Sequence, residues 1–179
     1  MGWSKVSLPA KIVVIGAGSA SFGENTLSAL MRSPGLRGCQ LALVDRSPAA
    51  LDIVSRLAAR LNREWDCQMQ LSAHLHHAQA LEGAHFVVSA IEVGPREALW
   101  RQDYEIPLRH GVHQPYAENG GPGGFIHAAR NLHPVMEVVR LMEQICPQAW
   151  FINYTNPMTR ICDAVRQDQQ KPDVLCLNG

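Results

Sequence analysis

Residues 11–21 read Lys11-Ile12-Val13-Val14-Ile15-Gly16-Ala17-Gly18-Ser19-Ala20-Ser21. The first five are a continuous apolar, β-branched run, the pattern of a strand buried on both faces. A glycine-rich turn follows at once, and a helix is expected over 21–31, stopped by Ser33-Pro34-Gly35. Gly16 permits the tight turn and Gly18 lets the backbone approach a pyrophosphate. Ser21 stands where the usual fingerprint has its third glycine, and is small enough to pack helix against strand. The helix N-terminus offers unpaired N–H groups and the positive end of its dipole to an anion. Ser19 and Phe22 belong to the same candidate phosphate loop.

Working outward, Gln40–Val44 is a second strand that ends at Asp45. Roughly two dozen residues past the loop, a carboxylate at that place accepts hydrogen bonds from the adenosine ribose hydroxyls. This choice favours NAD over NADP, although Arg46 beside it could hold a 2′-phosphate. A turn without ligand followed by a solvated aspartate is the bland alternative. Ser47-Pro48 reads as an N-cap and first helical residue of a helix to about Glu64. A weaker third strand is expected over 68–72, a short helix over 78–81, and a strong fourth strand over 85–91. Pro95 opens a helix through Trp100 and Tyr104, broken at Pro107. Residues 111–124 are too glycine-rich to be regular, and Gly120-Gly121-Pro122-Gly123-Gly124 implies positive φ or close backbone approach. A helix over 125–146 with a break at Pro134, a fifth strand Trp150–Asn153, a helix after Asn156-Pro157 to Asp168 and a sixth strand over 174–177 complete the pattern.

Strand and helix alternate six times, so the fold class expected is α/β: a doubly wound, mainly parallel, six-stranded Rossmann-type sheet of order 3-2-1-4-5-6. Ligands then bind at the carboxyl ends of strands 1 and 4. The 179 residues suit a single domain, 1–179. Sixteen Lys+Arg balance sixteen Asp+Glu, which argues against a nucleic-acid surface or a polybasic membrane patch. No apolar run approaches the roughly 18–20 residues of a membrane span, and residues 1–11 lack a signal-peptide core. Five cysteines with no CxxC pair argue against a disulfide framework and point to a cytoplasmic setting. His74, His76 and His77 read as a surface turn rather than a metal site. His110, His113, His127 and His133 surround the glycine loop, and one of them could face a substrate.

Asn153-Tyr154-Thr155-Asn156-Pro157-Met158 is a more specific signal. Together with Gly16–Ser19, Arg101-x-Asp103-x-Glu105-Ile106-Pro107 and Gly121-Pro122-Gly123-Gly124, it resembles glycoside hydrolase family 4, the NAD- and Mn-dependent glycosidases. The resemblance runs from about Lys11 to Cys176. It implies oxidation of the sugar at C3 by NAD, removal of the C2 proton, and elimination of the glycosidic oxygen from C1. Water then adds and the C3 ketone is reduced again, with a divalent metal, Mn2+ or another, as Lewis acid. It further implies that Arg101 and Asn153 bind the sugar, Glu118 supports the base, Asn156 lies with the cofactor and Cys176 ligates the metal. Leu177 follows Cys176 where family branches carry His, Asp or Asn. Family members are roughly twice this length or more, so the resemblance makes this the cofactor-binding half. The remaining metal ligand and the catalytic tyrosine are expected in a C-terminal half absent from the chain, and the isolated chain is expected to be inactive. The partner implied is a small sugar or glycoside, and a homo-oligomer is expected. Two other readings stay open: a 2-hydroxy-acid dehydrogenase of the lactate/malate type, and a non-catalytic NAD-binding module.

Overall fold

A computed structural model describes residues 10–19, 22–115, 119–168 and 174–176, the last three by their backbone only. The strands are β1 (Lys11–Ile15), β2 (Gln40–Val44), β3 (Gln70–His74), β4 (Phe86–Ser89) and β5 (Trp150–Asn153). The helices are α1 (Gly23–Arg32), α2 (Pro48–Glu64), α3 (His77–Leu81), α4 (Arg96–Arg109), α5 (Gly121–Ile145) and α6 (Met158–Asp168).

The expected sheet of six full strands is corrected to a five-stranded body, β3-β2-β1-β4-β5, in which every pair is parallel. The sixth stretch supplies a three-residue edge, Val174–Cys176 (β6), paired with β5 from Phe151↔Val174 to Asn153↔Cys176. Its partner limits it: β5 is itself only four residues long.

β1 is central and buried on both sides, which is why its sequence is apolar throughout. Val13 and Ile15 face a core built with Ala80, Leu81, Val135, Val139, Met142, Phe151 and Ile161. Ile12 and Val14 face the opposite layer, with Leu27, Met31, Leu51, Val54 and Ala58 of α1 and α2. Helices thus cover both faces.

Local differences from the sequence reading have local causes. β3 begins two residues later than expected. Asp66 and Gln68 take left-handed backbone, at φ 50° and 57°, and the turn they make carries Cys67 and Met69 into the core first. Ser47 caps α2 as expected, its Oγ accepting from Ala50 N–H at 3.3 Å. Pro107 does not break α4, because it sits in the last turn and the helix reaches Arg109. The glycine run is helical rather than irregular: Gly121 to Gly124 form the first turn of α5, with Pro122 at its start. The close approach expected there is present. A Cβ on Gly123 would stand 2.5 Å from the Asp103 carbonyl oxygen, so the glycines let α5 meet α4 backbone. α5 continues through Pro134 to Ile145 without a break.

Phe151 is fully buried in the first core, whereas Ile53 of α2 is 61% exposed. Phe151→Ala should lower unfolding free energy by about 3–5 kcal/mol, and Ile53→Ala should change it by only about 0.5 kcal/mol. Urea midpoints of the two variants check this ranking.

Candidate functional site

The carboxyl ends of β1, β2, β4 and β5 open into one cleft of about 1180 Å³, lined among others by Gly18, Asp45, Glu92, Arg96, Tyr154 and Asn156. It lies at the topological switch point, where β1 is flanked by β2 and β4. Gly16 takes φ +79°, and a Cβ on it would stand 2.2 Å from the Ala90 carbonyl oxygen. Only glycine allows the first loop to lie this close to the end of β4. Gly16 N–H and Ala17 N–H both donate to the Val44 carbonyl, at 2.9 and 3.1 Å, which ties the loop to β2 as well.

Gly18 N–H donates to Asp45 Oδ2 at 2.8 Å, and Ser47 N–H donates to Asp45 Oδ1 at 2.9 Å. The carboxylate is thereby held in the cleft wall beside the glycine loop. A Cβ on Gly18 would stand 2.5 Å from Ala50 Cβ and 2.7 Å from Asp45 Oδ2. Arg46 is exposed and does not line the cleft. Ser19 and Phe22 do line it. Phe22 packs on Tyr154 with ring centroids 4.8 Å apart, joining the loop after β1 to the loop after β5.

Ser21 and Glu118 lie outside the described residues. Gly23 also packs closely against the loop: a Cβ on it would stand 2.1 Å from the Ala17 carbonyl oxygen. It follows Gly18 by five positions, outside the regular fingerprint spacing.

Asn153 is fully buried and does not line the cleft. Its Nδ2 donates to the Thr155 carbonyl at 2.9 Å, and its Oδ1 accepts from Thr155 N–H at 3.1 Å. Its amide shapes the turn that delivers Asn156 to the cleft wall. Arg101 is exposed on α4 and does not line the cleft. Cys176 is described by its backbone alone, in register with Asn153 at the carboxyl end of β6.

Two cleft residues went unread in the sequence, Glu92 and Arg96. Glu92 sits just past β4, a position the switch-point rule could have flagged. The Arg96 guanidinium lies 4.2 Å over the Trp100 ring, with Nε 4.0 Å from the Glu92 carboxylate. Of the four histidines near the glycine loop, His110, His113 and His133 are exposed and His127 is buried. Burial, and then the Arg130 guanidinium, push His127 below its ordinary titration range, against the opposing pull of Asp103. His77 is likewise lowered, by burial and by Arg46.

Among the described residues no three His, Cys, Asp or Glu side chains gather into a metal site. His74 bonds Ser72 Oγ at 3.0 Å instead. Cys39, Cys67, Cys146 and Cys162 are all buried in the core. No helix of the described residues is long and apolar enough to cross a membrane.

The profile of the family 4 glycosyl hydrolases matches residues 11–177. The chain belongs to this family. It is 43% identical over 157 residues to an alpha-glucosidase of Erwinia rhapontici, covering 88% of the chain and 35% of that enzyme. It is 34% identical over 155 residues to an alpha-galactosidase of Bacillus subtilis, covering 87% and 36%. A 6-phospho-beta glucosidase from Thermotoga maritima, solved with NAD and glucose-6-phosphate, superposes with a TM-score of 0.82 at 26% identity, over 93% of the chain and 39% of that protein. The family 4 chain therefore spans about a third of the length of the curated relatives it matches.

Both histidines hold a proton less readily in the folded protein than in the unfolded chain, where their ordinary pKa is 6.5. Protons therefore favour the unfolded state. Stability should be full above pH 6.5 and fall as pH drops below it. Urea midpoints at pH 8, 6 and 5 should decline in that order, and His127→Gln should flatten the decline.

Proposed function

We propose that this chain is the cofactor-binding part of an NAD-dependent family 4 glycosidase, and that NAD lies in the cleft over Gly16, Gly18 and Ser19. Family membership over residues 11–177, together with Asp45 pinned beside the glycine loop, carries the reading. The cofactor fits the residues present. Gly16 gives the backbone approach, Ser19 and Phe22 line the phosphate end, and Asp45 offers a carboxylate to the ribose hydroxyls. When bound, NAD supplies a hydride acceptor that is restored within the same turnover. Asp45 gains hydrogen bonds from a 2′-hydroxyl and repels a 2′-phosphate, and Arg46 points outside the cleft, so NAD is preferred over NADP.

Residues 1–179 are proposed to form one domain. Ser21 is proposed to sit with the cofactor, Arg101 to bind the sugar and Glu118 to support the base, all three on the family resemblance. Asn156 is the asparagine that faces the cleft, and Asn153 acts through the turn that holds it. A 6-phospho-alpha-glucosidase from gut microorganisms of the same fold is solved in complex with NAD and Mn2+. For this chain Cys176 is the proposed ligand. The described residues gather no three-ligand set around it. A small glycoside is the proposed substrate. The exposed apolar residues Ile106, Leu108, Val112, Phe125 and Ile126 support self-association as a homo-oligomer. Dependence on NAD supports a cytoplasmic setting.

Calorimetric titration tests the reading directly. NAD+ should bind the chain more tightly than NADP+, and Asp45→Ala should narrow the gap. Gly18→Val should weaken NAD+ binding by about tenfold or more, because its side chain displaces the Asp45 carboxylate. Tighter binding of NADP+ by the unaltered protein would assign the ribose site to Arg46 instead.

A further inference from the structure

α5 sends one buried polar pair into the seam between the loops after β4 and β5. Asn131 is 1% exposed. Its Oδ1 accepts from Val93 N–H at 3.0 Å, on the loop that carries Glu92. Its Nδ2 donates to the Asn156 carbonyl at 3.3 Å, on the loop after β5, which also lines the cleft. The same Nδ2 lies 3.1 Å from His127 Nε2, one helical turn earlier, and His127 is also 1% exposed.

These contacts fix one another's chemistry. Val93 N–H can only donate, so it requires the amide oxygen. The amide nitrogen then faces the Asn156 carbonyl and the imidazole, and both must accept. His127 is thereby left without a proton on Nε2 and carries its hydrogen on Nδ1, which faces Glu92 Oε1 at 3.8 Å. Trp100 stands edge-on to the ring, with centroids 5.9 Å apart, and closes that side.

We propose that His127 and Asn131 are positioning residues that lock Glu92 and Asn156 into the cleft wall, and that the lock holds only while His127 is neutral. The inference rests on the reading that NAD occupies this cleft. A proton on Nε2 would set N–H against the Asn131 amide hydrogens, and the amide could not turn over without confronting Val93 N–H. The charged groups around the ring are Glu92 from the β4 loop, Arg96 and Asp103 from α4, and Arg130 from α5 itself. The β5 loop brings the Asn156 carbonyl. Burial and the two guanidinium groups oppose the proton, and the two carboxylates favour it.

The test combines NAD+ calorimetry from pH 8 to pH 5 with 15N spectra of the histidine rings. Dissociation constants of the unaltered protein should rise as pH falls below the ordinary histidine range. His127→Leu should weaken binding by about tenfold at pH 8. His127→Gln should rescue that loss and abolish the acidic limb, because its amide places an acceptor near the Nε2 position without titrating. Asn131→Ala should speed hydrogen exchange at the Val93 amide. A protonated Nε2 on His127 at pH 7 overturns the proposal whether or not any variant folds, and so does a His127→Gln protein that keeps the acidic limb. Failure of the unaltered chain to bind NAD+ at any pH would instead sink the cofactor reading. The lock itself would still be judged by the ring protonation and by Val93 exchange.

Discussion

The close approach of two backbones at Gly16 is the constraint on which the cleft depends. With φ at +79° and no side chain, Gly16 lies against the Ala90 carbonyl while donating to Val44. The ends of β1, β2 and β4 therefore meet within one turn of chain. Any side chain at this position would both strain the backbone and collide with Ala90. Asp45, placed by β2, can then reach Gly18, and the loop after β4 comes near enough for Glu92 to share a wall with the glycine loop. The cofactor reading follows from this convergence more than from any single polar group.

Helix α5 does a second kind of organising. Its first turn is glycine so that it can touch α4. Its next turns carry His127 and Asn131 to the loop ends. The turns after Pro134 are apolar and fill the core with Val135, Val138, Val139 and Met142. One helix thus spans the change from functional edge to packed interior, and its sequence changes character along its length.

The parallel strands were legible because burial on two faces leaves no freedom in composition, and Ile12, Val13 and Val14 announce it. The phosphate loop and Asp45 were legible because glycine at a fixed place after a strand has few other uses. Elsewhere the sequence misled for identifiable reasons. Glycines at 121–124 look like an irregular loop when read alone, and only the proximity of Asp103 shows why a helix tolerates them. The short β6 edge was overestimated because apolar residues at 174, 175 and 177 carry no information on how much partner strand is present. Nothing in the sequence marks Asn153 as the asparagine whose amide is spent on Thr155; only the tertiary turn shows it. Glu92 was not singled out, and His127 was not separated from three neighbouring histidines, because a carboxylate and an imidazole acquire meaning from neighbours distant in the chain.

The central place of β1 also sets the order in which the chain can assemble. β2 and β3 can pair outward from β1 as soon as the intervening helices form, since each crossover is short in sequence. The other edge of β1 must wait for β4, since Ile12 pairs with Phe86, and β5 waits longer still. Non-local parallel pairing of this kind slows folding, because loop closure is costly before contacts reward it. During synthesis, the emerging first half would present an open, apolar β1 edge until β4 arrives. This interval is when the nascent chain is most open to pairing with a wrong strand and most dependent on chaperones.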